Sequence, residues 1–196
     1  MSLFVKKALV TFGGIAVLAP LACAPNDVVI ADIPSDDGGK PTQQSPCVRD
    51  DDCDTNQYCE RDTCDAQVGK CHYKPPFCDS SDGDPKCGCD GVNYWNDCLR
   101  NQQGVSKQND STCEYGASCG NGKGECANTS AKCGRLVFEH DQCSNDPPGQ
   151  CWVLPSSCSG FDPHWVTCEP GGDCTSVCDA IASEKPYFKA PGSICP

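Results

Sequence analysis

Twenty of the 21 cysteines in this 196-residue chain fall into two consecutive sets of ten, Cys47 to Cys113 and Cys119 to Cys195. Cys23 alone stands outside them. More than about one residue in ten as cysteine marks a disulfide scaffold, and because cytosolic thiols are kept reduced, the compartment must be an oxidising one outside the cytoplasm. With apolar residues, cysteine included, at 38% of the chain, little material is left for a large core. Modules of roughly 70 residues need staples to fold, and a bridge closing a loop of about 15 residues contributes roughly 3 kcal/mol on the chain-entropy account. Each set can close five bridges internally, which leaves Cys23 as the odd cysteine.

The two sets share an internal order. GKCHYKPPFC, from Gly69 to Cys78, aligns with GQCWVLPSSC, from Gly149 to Cys158. Ahead of each lies a five-cysteine ladder, and behind each a short helix and a final cysteine, so the chain reads as a tandem ten-cysteine repeat. The second copy has diverged: CEPGGDCTSVC keeps a glycine turn but lacks the Asp-Gly, Tyr and Asn of the first.

Residues 1–22 carry Lys6 and Lys7 followed by an apolar run from Ala8 to Ala22, which is too short and too glycine-rich for a spanning helix and reads as a signal peptide. The PLAC that ends it resembles the lipobox of bacterial lipoproteins, which implies lipid attachment at Cys23 and anchoring at the cell surface or outer membrane, with secretion as the alternative. Residues 23–46 form an acidic flexible tether with four Asp and four Pro, too poor in apolar residues to order itself. Its Asp36-Asp37 pair reads as solvated linker. A net charge of −12 argues against nucleic acid as a partner, since phosphate contacts demand surface Lys and Arg.

The most informative stretch is CGCDGVNYWNDC, from Cys87 to Cys98. It resembles the signature of Kazal-type serine-protease inhibitors, a cysteine followed by G-x-D-G-x-T-Y-x-N-x-C, with Asp90, Gly91, Tyr94 and Asn96 in place. Asn93 stands where the family has Thr, Cys89 is additional, and Gln102 occupies a position where the family has a cysteine. The resemblance covers residues 71–113 and implies a small disulfide-rich α+β module of short antiparallel strands and one short helix. From the residues themselves, Asp90-Gly91 suits a tight hairpin turn with two positive φ angles. Asn96 suits the N-cap of a helix running to Gln103 and ending at Gly104. In the second copy Ser176 is the matching cap, for VCDAIASEK, which Pro186 would end.

What the family does implies a function for the segment after Cys78. Such inhibitors present one rigid, substrate-like loop to a serine protease, and preorganisation makes binding cheap in ordering entropy. By resemblance, the reactive loop here comprises Asp79, Ser80 and Ser81, with Ser80 or Ser81 entering the specificity pocket and Asn96 and Tyr94 as loop support. A Ser anchor implies a subtilisin-like or elastase-like enzyme. The corresponding residue of the second copy, Gly160, offers no side chain to a pocket. The alternative function is a non-catalytic adhesion or protein-interaction module at the cell surface, without inhibitory activity; in either case a monomer is expected. The family's bridge order implies Cys71 with Cys89, Cys78 with Cys98 and Cys87 with Cys113, leaving Cys47 with Cys59 and Cys53 with Cys64.

Other chemistry finds little purchase. No C-x-x-C pair occurs, which argues against structural zinc and thioredoxin-like redox work. His72, His140 and His164 accompany no nucleophile signature, so no enzymatic activity, cofactor or metal is expected. The Asp50–Asp54 run lacks the glycine and terminal Glu of an EF-hand loop. Trp152 and Trp165 are expected to pack against a bridge rather than contact a partner. Thiol alkylation of the exported protein before reduction should label Cys23 at most. Labelling of several other cysteines would overturn the division into two closed sets.

Overall fold

The computed structural model describes residues 45–79, 83–143, 146–159, 163–192 and 194–195. Cys23, with the expected signal peptide and tether, lies outside them, as do Ser80, Ser81 and Gly160. Twelve short strands and two short α-helices make up the regular α+β structure of the described residues.

The first ladder comprises β1 (Pro46–Cys47), β2 (Gln57–Glu60) and β3 (Gly69–Tyr73), an antiparallel sheet in the order β1-β3-β2. Pro46 stands at an edge, where its missing N–H costs no ladder bond. Cys59 lies opposite Cys71 and Cys47 opposite Gly69, so alternation sends three cysteines to one face. The acidic run before β2 is used structurally: Asp52 Oδ2 accepts from the N–H groups of Val48 and Arg49, and Asp50 Oδ1 from that of Cys59. Next come β4 (Lys86–Gly88), β5 (Asn93–Tyr94), α1 (Asp97–Gln103) and β6 (Lys107–Asn109), with β4 between β5 and β6.

The second set has its own strands and helix. β7 (Ser118–Cys119), β8 (Ala131–Leu136) and β9 (Gly149–Val153) pair as β1, β2 and β3 do, with Cys133 opposite Cys151 and Cys119 opposite Gly149. β10 (Trp165–Thr167), β11 (Cys174–Thr175), α2 (Val177–Ala182) and β12 (Pro186–Lys189) follow, with β10 between β11 and β12. The two sets are not separate beads. β5 pairs in parallel with β9, giving one path β11-β10-β12-β8-β9-β5-β4-β6.

All ten bridges close within a set. Cys47–Cys59, Cys78–Cys98 and Cys87–Cys113 are joined as expected. Two expected pairings are corrected, Cys71 with Cys89 and Cys53 with Cys64; the bridges are Cys53–Cys71 and Cys64–Cys89. The reason is placement. Cys71 sits in mid-strand among Cys47, Cys53 and Cys59, whereas Cys89 tips the β4–β5 hairpin beside Ser106, whose hydroxyl accepts from the N–H of Arg61 at the start of the segment carrying Cys64. In the second set, pairs of the same rank recur at first–third, second–fifth and sixth–ninth. The fourth cysteine takes the seventh and the eighth takes the tenth, because the bridge that starts from Cys87 on β4 starts from Cys174 on β11. Cys87 lies opposite Asn93, and Val166 opposite Cys174, so the sulfur has crossed from one member of a strand pair to the other.

Two local expectations also change. The β4–β5 loop has four residues, Cys89-Asp90-Gly91-Val92, with Gly91 alone left-handed at φ 75°, because the Asp90 carboxylate is recruited instead, accepting from Val92 N–H at 3.1 Å and Tyr94 hydroxyl at 2.7 Å. Helix α2 stops at Ala182, where the Ser183 hydroxyl donates to the Ala180 carbonyl and Glu184 turns left-handed at φ 56°; Pro186 instead opens β12.

A buried cation ties the first ladder to α1. Arg100, 1% exposed, reaches Glu60 Oε1 through Nη2 at 2.9 Å, Asp97 Oδ1 through Nε at 2.9 Å, and the Tyr58 hydroxyl and Val105 carbonyl through Nη1. Burial works against its charge, but the bond to Asp97 and the neighbourhood of Tyr58 outweigh it and hold the guanidinium more firmly protonated than usual. Arg100→Met should destabilise the oxidised protein by about 1 to 3 kcal/mol, since it leaves the Tyr58 hydroxyl and Val105 carbonyl without their donor and Glu60 without its cation. The midpoint of denaturant unfolding with bridges intact measures this; an unchanged midpoint would contradict it.

Candidate functional site

The segment entering the expected reactive loop runs Pro75-Pro76-Phe77-Cys78-Asp79, and three devices fix it. The Cys78–Cys98 bridge ties it to the first turn of α1. Asn96, 3% exposed, caps that helix by accepting from Leu99 N–H through Oδ1 at 2.9 Å, while its Nδ2 donates to the Asp79 carbonyl at 3.0 Å. One amide thus sets the helix start and holds the loop's backbone. Gln102 Nε2 donates to the carbonyls of Pro75 and Pro76, both at 3.2 Å, so an amide bonds the lead-in from the helix position where the family places a cysteine.

On the return side, Lys86 is buried within β4 and its Nζ donates to Asp84 at 2.6 Å, with Asp110 at 3.7 Å. The bond to Asp84 holds the Lys86 ammonium above its ordinary range. Gly83 lies against the Trp95 indole, where a Cβ would come to 3.0 Å from the ring. Ser80 and Ser81, the expected pocket residues, lie between these anchors and outside the described residues.

Tyr94 is fully buried and its hydroxyl donates to Asp90, so its direct contact is with the hairpin. Burial, then this bond to Asp90, pushes its phenol well above the ordinary range. Gly88 is required beside it, since a Cβ there would meet Asp90 Oδ1 at 2.5 Å and the Tyr94 ring at 2.6 Å.

Asn93, the departure from the family signature, is fully buried where the two sets meet. Its Oδ1 accepts from Cys113 N–H at 2.7 Å; its Nδ2 donates to Gln150 Oε1 at 3.1 Å and to the Cys151 carbonyl at 3.4 Å. Gln150 Nε2 returns a bond to the Cys113 carbonyl, and Trp95 N–H donates to the Val153 carbonyl at 3.0 Å. Val92, Tyr94 and Leu99 pack there against Cys119, Cys133, Cys151 and Val153. A threonine hydroxyl has a single proton to donate, so it could not make both donor bonds at once. The structural roles of Asn93 and Gln102 were not foreseen, because each depends on a partner remote in sequence, and their mismatch with the family pattern was the available signal; the Lys86–Asp84 pair, two residues apart, was not foreseen either.

Elsewhere, Trp165 meets the Tyr187 ring edge-on at 5.7 Å, and Trp152 packs on the cluster of Ala180, Ile181 and Tyr187. Both indoles therefore belong to the second set's own core. The sulfurs of Cys47, Cys53 and Cys71, and of Cys119, Cys126 and Cys151, approach within 4.8 Å of one another. All six are bridged, and a disulfide offers no thiolate to a metal. Comparison with protein-family models, with curated proteins and with solved structures finds no match for this chain.

Replacing Asn93 with Val should cost about 2 kcal/mol, because the Cys113 N–H and the Gln150 side chain would be left without their buried partner. Thermal unfolding of the oxidised protein reads this loss. A midpoint equal to wild type would show that the amide does not join the two sets.

Proposed function

We propose that this is an exported inhibitor of serine endopeptidases, acting through a substrate-like loop of Asp79, Ser80 and Ser81 on a Kazal-like module. The observation that carries the reading is the bond from Asn96 Nδ2 to the Asp79 carbonyl beside the Cys78–Cys98 bridge. A loop gripped from behind by a buried amide and a covalent clamp loses little freedom when an enzyme takes it. Cleavage would leave both new ends tethered, since Cys78 and Cys87 are each bridged on either side of the loop.

In this reading the second set is a diverged tandem copy, supported by the equal separations of Cys78–Cys98 and Cys158–Cys178, 20 residues each, and of Cys64–Cys89 and Cys143–Cys168, 25 each. Ten bridges place the folded chain in an oxidising compartment. Among the described residues no helix is long and apolar enough to cross a membrane. A signal peptide over residues 1–22 and a lipid on Cys23 would hold the inhibitor at the cell surface on the tether of residues 23–46.

The test is inhibition of subtilisin-like and elastase-like enzymes by wild type, Ser80→Leu and Asn96→Ala. Ser80→Leu should change which enzyme is bound while the fold persists. Asn96→Ala should weaken binding to every target by about 1 to 3 kcal/mol, since a loop carbonyl loses its donor, and should let slow cleavage run on to release. If micromolar wild type inhibits neither enzyme and Ser80→Leu gains nothing, the reading gives way to a non-catalytic interaction module.

A further inference from the structure

Where the two sets meet, a cleft of about 380 Å³ opens beside the segment leading into the proposed loop. One wall is the loop's own lead-in, Pro76, Phe77 and Cys78, backed by α1; the other is Leu154, Pro155 and Ser156 of the second set, with Ser130 at the rim. The walls are held in register by the β5–β9 pairing and the Asn93 bonds, so their separation is set by the fold. Among the described residues no charged side chain lines the cleft. Phe77 stands 88% exposed, a ring left in water two residues ahead of Asp79.

Area decides what such a surface is for. A stable protein–protein interface takes about 800 Å² and roughly 20 to 30 residues from each partner, far more than the few residues of one loop. An enzyme seated on the loop must cover its surroundings, and on the upstream side those are the two walls of this cleft. We infer that the second cysteine set is a secondary contact surface for the same endopeptidase that takes the first set's loop, receiving an uncharged segment of the enzyme's rim, with both apolar and hydrogen-bonding side chains, between Phe77 and Leu154–Ser156. The inference rests on the inhibitor reading above. It gives the second copy a role that does not need an inhibitory residue at Gly160. The uncharged lining implies a contact largely insensitive to salt, since screening acts on charges.

The experiment uses the complete mature chain with Ser130→Arg and Ser156→Arg, both at exposed cleft positions, and Glu125→Arg, exposed but outside the cleft, as control. A buried charge without a partner at the rim should raise the inhibition constant by about tenfold or more in each cleft variant, with thermal midpoints and the Glu125→Arg constant unchanged. Should wild type inhibit while both cleft variants stay within about twofold of it, the secondary surface is refuted and the loop reading survives. Should wild type inhibit no serine endopeptidase, the loop reading fails and this inference with it.

Discussion

Everything in this molecule depends on covalent closure. Among the described residues, ten of the 22 buried apolar ones are cysteines, and the rest apart from Tyr58 divide among small clusters that could not separately hold a chain together. Bridges spanning 12 to 26 residues restrict the unfolded chain, and on the chain-entropy account each contributes a few kcal/mol, about what a small core would. Because stability comes largely from what the unfolded state has lost, the folded interior can hold polar groups. Arg100, Asn93 and Asn96 are all buried, and each is answered by several partners.

Those polar groups supply what bridges alone do not. A disulfide fixes two points on the chain but leaves the orientation of the segments between them open. Arg100 sets α1 against the first ladder, Asn93 sets the second cysteine set against β5, and Asn96 sets the loop lead-in against α1. The last two lie three residues apart, on either side of Tyr94 and Trp95, so the joint between the sets and the grip on the loop share one short rigid stretch.

Local chemistry made α1 legible from residues alone, since Asn96 and Gly104 carry the start and stop signals within themselves. The division of the bridges into two closed sets followed from cysteine order. Partner choice did not. Whether Cys71 meets Cys53 or Cys89 is decided by which segments lie side by side, and the resemblance supplied a family order that the five-cysteine ladder here replaces. The β5–β9 pairing leaves no trace in either two-residue or five-residue strand, because strand edges are chosen by the packing around them. The Asp90 turn was misjudged for a smaller reason: a side chain that caps its own turn relieves the backbone of one left-handed residue.

If the segment after Cys78 enters a protease's catalytic cleft, occupancy of that cleft decides binding. Titration calorimetry of the mature protein against a subtilisin-like or elastase-like enzyme that it inhibits, free and with its catalytic serine blocked by a bulky covalent reagent, asks this directly. One-to-one binding to the free enzyme and none to the blocked form is the expected result. Undiminished binding to the blocked enzyme would contradict the account, since contact would then lie wholly outside the cleft that the loop is held to fill.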